Sequence, residues 1–131
     1  MGGDGLLSRA FAQKSDEVHY LEGFYVTDLY SSNMEMTPLG RKVTRVFRSK
    51  FDSRNSTFPA IGVEGMLILR HAINRCSDGS NKNCINARLH TTIDFKALMG
   101  NITIQSSGKA LRPLIVNRIR GDQLEFVVKV Y

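Results

Sequence analysis

The sequence predicts an α/β fold, with helices packed on a sheet and β-hairpins at the end of the chain. Up to about residue 92, apolar residues recur at helical spacing around one run rich in aromatic and β-branched residues. After Asp94, apolar and polar residues alternate, which is the period of a strand. Gly108 and Gly121 separate these later runs and can adopt the positive φ that hairpin turns require.

Length and composition are typical of one soluble globular domain, with 131 residues of which 42% are hydrophobic and 23% charged. No run approaches the roughly 18 apolar residues of a membrane span, and no signal peptide precedes the first glycines. In a fragment of a longer protein, that missing signal would indicate nothing about localisation.

The chain opens with a glycine-rich turn at residues 2–5, directly before a predicted helix over 5–14. In α/β sheets a strand, a glycine turn and a helix N-terminus together form a binding corner. The strand of that corner is missing here, so we expect the sequence to begin in the middle of the motif. The apolar residues at helical spacing are Leu6, Leu7, Ala10 and Phe11.

Two elements follow before the longest helix. Residues 21–30, LEGFYVTDLY, predict a buried strand because aromatic and β-branched residues dominate the run. Thr37 followed by Pro38 is typical of a capped helix start, and we expect that helix to continue to about Phe51.

The longest predicted helix occupies 60–76, after Pro59, and a short helix over roughly 84–92 follows a polar loop. The long helix is expected to be the most buried one because its apolar residues cover one broad face. That face contains Ile61, Met66, Leu69 and Ile73. Strands are predicted over 98–105, 111–119 and 124–131, with turns at 106–109 and 120–123.

The net charge of +6 arises mainly from two basic stretches, 41–54 and 109–120. They could bind nucleic acid or form solvated faces of helices and strands. We favour solvated faces, since no tryptophan, RNP-like aromatic pair or zinc-finger spacing accompanies the charge. In the first stretch the cations lie mostly opposite an apolar stripe formed by Val43, Val46, Phe47 and Phe51. We therefore expect no nucleic-acid partner.

No motif for catalysis or metal binding is present in the sequence. The three histidines are widely separated, and no GxSxG, P-loop or HExxH pattern occurs. Glu22, Asp28 and Glu64 could serve as acid–base groups, but nothing in the sequence pairs them. We expect a protein that is not an enzyme and that uses no metal or cofactor.

Five segments occur in the order GGDGLLS, LEGFYVTDLYSS, LGRKVTRVFRSKF, FPAIGVEGMLILRHAIN and FKALMGNITIQSSGKALRPLIVNRI. Together they resemble the periplasmic ligand-binding proteins of branched-chain amino-acid ABC transporters, the leucine/isoleucine/valine-binding type. The last segment matches the family pattern at Phe95, Gly100, Ile102, Gly108, Pro113 and Val116. The resemblance covers essentially the whole chain and depends on the order and spacing of motifs that are individually unspecific.

The resemblance implies the C-terminal part of a two-lobed type I periplasmic-binding fold. Residues 1–28 would end the second lobe, 29–105 would be a first-lobe segment, and 106–131 would form the closing hairpin strands. The strand missing before the first glycine turn would then lie upstream of this sequence.

The implied function is to capture a branched-chain or related amino acid between the lobes, in the periplasm, for a membrane permease. In the family an acidic residue in a second-lobe turn meets the ligand's ammonium, and the matching position is Asp4, between Gly3 and Gly5. Alternatively, Asp4 only caps the helix over 5–14. Tyr30 is a weaker candidate for lining the cleft, and it could equally pack on the hinge.

Two other function classes stay open at this stage. A receptor domain on the same fold could sense a ligand instead of delivering it, and a basic nucleic-acid-binding module is the less favoured third class. The family often has a glutamate where this chain has Asp4, so the ligand could be leucine, isoleucine, valine or another molecule.

A disulfide is predicted between Cys76 and Cys84, since the polar SDGSNKN loop can double back and the periplasm would oxidise the pair. Two free thiols in a cytosolic protein are the alternative. The chain without its upstream lobe should bind an amino acid only at millimolar affinity or weaker. Uncovered sheet edges and apolar residues such as Met66, Leu67 and Leu69 predict self-association, as an exchanged dimer.

Overall fold

The structure is a computed structural model that describes residues 20–31, 34–50, 57–121 and 123–131. Within these ranges three helices accompany two three-stranded antiparallel sheets, which confirms the α/β class. The predicted helix over 5–14 lies outside the described residues. In chain order the elements are β1 (Tyr25–Asp28), α1 (Pro38–Lys50), α2 (Thr57–Ile73), α3 (Lys82–His90), β2 (Phe95–Lys96), β3 (Asn101–Ile104), β4 (Ala110–Leu111), β5 (Leu114–Arg120) and β6 (Gln123–Val130).

The first sheet has the order β1-β5-β6, with every pair antiparallel. The prediction that the strand within 21–30 shares a sheet with strands after residue 95 is thus confirmed. β1 is shorter than predicted because a turn at Gly23, with φ 78°, delays the strand to Tyr25. In the register, Val26 lies opposite Asn117 and Asp28 lies opposite Ile115.

The second sheet, of order β2-β3-β4, differs from the predicted strands in two places. A turn over residues 97–100 is closed by the Ala97 N–H donating to the Gly100 carbonyl at 2.9 Å, so β3 begins only at Asn101. Pro113 interrupts the predicted strand over 111–119, since proline has no N–H to continue a ladder. The two pieces, β4 and β5, therefore belong to different sheets.

Helix α1 begins as the sequence predicts. The Gly40 N–H donates to Thr37 Oγ1 at 3.1 Å, so Thr37 caps a helix whose first residue is Pro38. Val43 is partly buried and packs against the main core cluster, whereas Val46 is 48% exposed. The predicted apolar stripe is thus narrower than expected, and Phe51 lies outside the described residues.

Helix α2 begins at Thr57 and contacts the core through a different face from the predicted one. Its buried residues are spaced by four: Ala60, Glu64, Ile68 and Ala72. Met66, placed by the sequence on the buried face, is 67% exposed, and Ile61, Leu69 and Ile73 are only partly buried. Apolar residues surround most of α2, so periodicity alone did not indicate which side would meet the core.

Three apolar clusters make up the described core. The main cluster joins the β1–α1 connection to the 97–100 turn and contains Tyr30, Met34, Met36, Ala60, Leu98, Met99 and Ile115. A second cluster, Val26 and Ile119, lies on the sheet, and a third contains Ile68, Ala97 and Ile102. Ile115 and Ile119 are four residues apart in β5 and therefore lie on the same face, so the first two clusters share one face of the sheet.

A disulfide joins Cys76, just after α2, to Cys84 in the first turn of α3, with a Cα–Cα distance of 6.1 Å. The predicted pairing is confirmed. Asn81 caps α3 by accepting the Cys84 N–H at 3.0 Å, so the same loop carries both the bridge and the helix start.

Candidate functional site

The predicted ligand residues Gly3, Asp4 and Gly5 lie outside the described residues, and their role stays a prediction. Tyr30 is described, and it stands at the point where β1 leaves the sheet. Its side chain is 4% exposed and belongs to the main core cluster. The phenol ring is therefore a packing residue of the β1–α1 connection, whatever its hydroxyl binds.

Two buried hydroxyls that follow β1 have no partner among the described residues. The Tyr30 hydroxyl and Ser31 Oγ are both enclosed, and neither has a hydrogen-bond partner among the described residues. A buried hydroxyl left unpaired costs about 1–3 kcal/mol. Such groups are consequently candidates for binding water or a polar ligand.

A buried amide lies on the same stretch of sheet. Asn117 is 0% exposed, and neither its Nδ2 nor its Oδ1 has a partner among the described residues. It lies on the buried face of β5 between Ile115 and Ile119. Asp28 is buried as well, and its Oδ1 accepts the Leu29 N–H at 2.6 Å. Polar groups thus gather where β1 pairs with β5.

Glu64 is the most deeply buried acid that the structure describes, with 2% of its surface exposed. Its Oε1 accepts the N–H groups of Leu98 at 3.0 Å and Met99 at 3.4 Å. Its Oε2 lies 2.7 Å from Arg112 Nη2. The Glu64 side chain therefore connects the 97–100 turn to Arg112, although its Oε2 has an ion-pair contact and no well-formed hydrogen bond among the described residues.

Arg112 extends this contact to the end of β1. Its Nη2 also donates to the Leu29 carbonyl at 3.4 Å, so one guanidinium joins α2, the start of β5 and the chain next to Tyr30. Glu64 thus has a charged partner in the fold, Arg112, that the sequence analysis did not identify. The sequence did not signal this contact, because apolar residues on most sides of α2 left its buried face undetermined.

The start of α1 contacts the same 97–100 turn. The Thr37 hydroxyl donates to the Ala97 carbonyl at 2.9 Å, and the Thr37 N–H donates to the Leu98 carbonyl at 3.1 Å. A Cβ at Gly40 would lie 2.5 Å from the Leu98 oxygen, so only glycine fits this approach. The turn thus holds α1 and α2 in fixed positions beside the polar groups at the end of β1.

In the described ranges, no three histidine, cysteine, aspartate or glutamate side chains are grouped as metal ligands would be. None of the helices in those ranges is both long enough and apolar enough to cross a bilayer.

Two cations of the second basic stretch, Arg118 and Arg120, form ion pairs on the surface of the sheet. The Arg118 guanidinium donates to Glu125 Oε2 at 2.8 Å, and this hydrogen bond lowers the pKa of the Glu125 carboxyl and raises the pKa of Arg118. Arg120 lies near both Glu125 and Glu22. These cations are components of a surface network on the sheet, as a solvated strand face would be.

Comparisons with known proteins give a fold and no closer relationship. No protein-family model and no curated protein sequence matches the chain. The structure is similar to the crystal structure of the leucine-binding protein LivK from Thermotoga maritima, with a TM-score of 0.75 and 23% identity over 84% of this chain. It is also similar to the branched-chain amino acid transporter substrate-binding protein LivJ from Streptococcus pneumoniae in complex with isoleucine, with a TM-score of 0.74 and 19% identity over 96% of this chain.

The similarity covers only part of each neighbour. The chain spans about a third of their length, 31% of LivK and 36% of LivJ. At these identities the fold alone is shared, so the chain has the architecture of a portion of a solute-binding protein. Both neighbours are named as binding proteins.

Proposed function

We propose that the chain is part of a solute-binding protein that captures a branched-chain or related amino acid between two lobes and passes it to a membrane permease. The observation that carries the proposal is the fold similarity over 84% and 96% of the chain to two proteins named for leucine and branched-chain amino acids. This chain would supply one part of the cleft, with 1–28, 29–105 and 106–131 as its three portions.

The proposed contacts are few. Asp4, held in the turn of Gly3 and Gly5, would meet the ligand's ammonium, because a closing cleft must replace the lost water with charge. Tyr30, just after β1, would line the cleft. Its buried hydroxyl has no partner among the described residues, and this supports the role, since a ligand or an ordered water would satisfy it.

A periplasmic location is part of the proposal. The Cys76–Cys84 disulfide supports an oxidising compartment, because such bridges persist outside the reducing cytosol. A sensing role on the same fold predicts ligand binding without a permease, so uptake of labelled ligand by cells with and without the protein distinguishes delivery from sensing.

Self-association of the chain stays a prediction, and the structure bears on its geometry. Exposed apolar side chains on β6, including Val128 and Val130, favour association. A register shift leaves Val127 without an opposite residue on β5, and such a bulge on an edge strand hinders pairing with a second copy. Size-exclusion chromatography with light scattering measures the outcome.

A thermal-shift screen of the full-length protein against the L-amino acids tests the proposed function. Leucine, isoleucine or valine should raise the unfolding midpoint as their concentration rises, because binding to the folded state stabilises it by mass action. D-isoleucine is the matched control. Asp4→Asn should weaken the shift, whereas a folded protein that no amino acid stabilises would overturn the proposal.

A further inference from the structure

Nearly all the net charge of the chain is located on helix α1. Five of the 18 basic residues fall within Pro38–Lys50, and the helix contains no acidic residue, so it carries +5 of the chain's +6. The remaining 13 basic and 12 acidic residues almost cancel. The five cations are Arg41, Lys42, Arg45, Arg48 and Lys50.

The four of these cations whose side chains the structure describes, Arg41, Lys42, Arg45 and Lys50, are exposed. The side of α1 that meets the protein carries Gly40, Val43 and Phe47, which are buried or partly buried. Lys42 and Arg45 lie on the opposite, exposed side, as the 100° step of the helix requires. The outward face of α1 is the surface formed by Leu39, Lys42, Arg45, Val46, Ser49 and Lys50.

Within the described residues, the α1 cations Arg41, Lys42, Arg45 and Lys50 form no ion pair, unlike the arginines of the other basic stretch. Arg112, Arg118 and Arg120 each lie within ion-pair distance of a glutamate. Between described residues, no ion pair involves a side chain of α1, and the Arg41 guanidinium instead donates to the Met36 carbonyl at 2.6 Å. No described carboxylate is therefore paired with the positive charge of the outward face.

Apolar side chains lie within this charged face. Leu39 is 38% exposed and Val46 is 48% exposed, and their spacing of seven places them on the same side of the helix. Lys42 lies between them, three residues after Leu39 and four before Val46. A surface that combines lysine, arginine and exposed aliphatic side chains is suited to a bilayer interface, where both phosphate and acyl groups are within reach.

We propose that the outward face of α1 binds an anionic phospholipid surface. Headgroup phosphates match the donors of Arg45 and Lys42, and the aliphatic side chains add apolar contact that a purely polar partner would not use. The face offers no aromatic side chain on which nucleic-acid bases could stack. This interaction goes beyond ligand capture and depends on none of the proposed ligand contacts.

Co-sedimentation of the 131-residue chain with vesicles tests the proposal. Binding is expected to vesicles of phosphatidylcholine with phosphatidylglycerol, to be absent from phosphatidylcholine alone, and to fall with added salt. Lys42→Glu/Arg45→Glu should weaken binding at least about 100-fold, since each cation near an anionic surface contributes roughly fivefold and each substitution also introduces a repelling charge. Lys42→Gln/Arg45→Gln is the milder pair if the first fails to fold, which circular dichroism reports.

The matched control is Lys82→Glu/Lys109→Glu, which changes two exposed lysines elsewhere and gives the same net charge. It should retain vesicle binding. An equal loss of vesicle binding in this control would overturn the proposal, because the total charge of the chain and not the outward face of α1 would then determine binding. Absence of vesicle binding at low salt would also overturn the proposal. Tighter binding to polyuridylate or polyglutamate than to vesicles would overturn it too, and would indicate nucleic acid or an acidic protein as the partner.

Discussion

Glu64 and Arg112, far apart in the sequence, form a buried ion pair with 2.7 Å between Oε2 and Nη2. Through this pair helix α2 is joined to the start of β5, and through the Leu29 carbonyl to the end of β1. The other carboxylate oxygen binds the N–H groups of the 97–100 turn. One side-chain pair therefore connects the elements that surround Tyr30.

Removing one partner of this pair should destabilise the fold strongly. Glu64→Gln leaves a mostly buried guanidinium without its counter-charge, and we expect a loss of about 3–5 kcal/mol in the free energy of unfolding. Glu64→Gln/Arg112→Met should lose less than the two single variants together, because no unpaired charge remains. Urea unfolding measures each value, and strictly additive losses would contradict the pairing.

Gly40→Ala should destabilise the protein, although alanine normally favours a helix. The new Cβ would lie 2.5 Å from the Leu98 carbonyl oxygen, a backbone atom that cannot rotate away. We expect a loss of about 1–3 kcal/mol, typical of overpacking. The control is Gly65→Ala in α2, where a Cβ meets nothing within 4 Å, and it should gain about 0.5–1 kcal/mol. Equal effects at both positions would refute the close contact.

Replacing Asn117 with an apolar residue should not destabilise the sheet. Both amide atoms are buried without a described partner, so Asn117→Val should be neutral or should gain about 1–3 kcal/mol. Thr92→Val is the comparison, because the buried Thr92 hydroxyl donates to the Arg88 carbonyl at 3.1 Å and its removal should cost about 1 kcal/mol. Thermal unfolding of both variants measures the two changes in stability. A marked loss of stability in Asn117→Val would show that the Asn117 amide has a hydrogen-bond partner.

Acid should weaken the fold through Glu125 and Asp78. Hydrogen bonds from Arg118 and from Ser80 lower the pKa of these two carboxyls, respectively, below the ordinary values. Each therefore stabilises the fold above the ordinary carboxyl pKa, and this contribution is lost as the pH falls through the lowered value. Glu125→Gln/Asp78→Asn should flatten the acid side of a plot of unfolding midpoint against pH. An unchanged slope would show that these pairs do not couple to folding.

The disulfide should contribute measurably to stability. Cys76→Ser/Cys84→Ser removes the bridge between α2 and α3, and the chain-entropy estimate for so short a loop is roughly 2–3 kcal/mol. The difference in unfolding free energy from the parent protein measures it. Two alkylatable thiols in the unreduced protein, seen by mass spectrometry, would show instead that the bridge does not form.

Features that depend on neighbouring residues were predictable from the sequence. The start of α1 follows from Thr37 and Pro38, whose capping geometry involves only the next few residues. The Cys76–Cys84 bridge closes a short loop, so its partners were also evident. The order of helices and strands followed from periodicity, which is a local property, and so did the α/β class.

Long-range pairings were beyond the sequence patterns for a physical reason. Burial of Glu64 is tolerable only because Arg112 and the 97–100 turn meet it in space, and no periodicity indicates such a meeting. The same holds for the face of α2, where apolar residues on most sides left the choice to packing against that turn. The two halves of the predicted strand that Pro113 divides belong to different sheets. The partners of a strand depend on the whole fold, so the sequence of the strand alone did not indicate them.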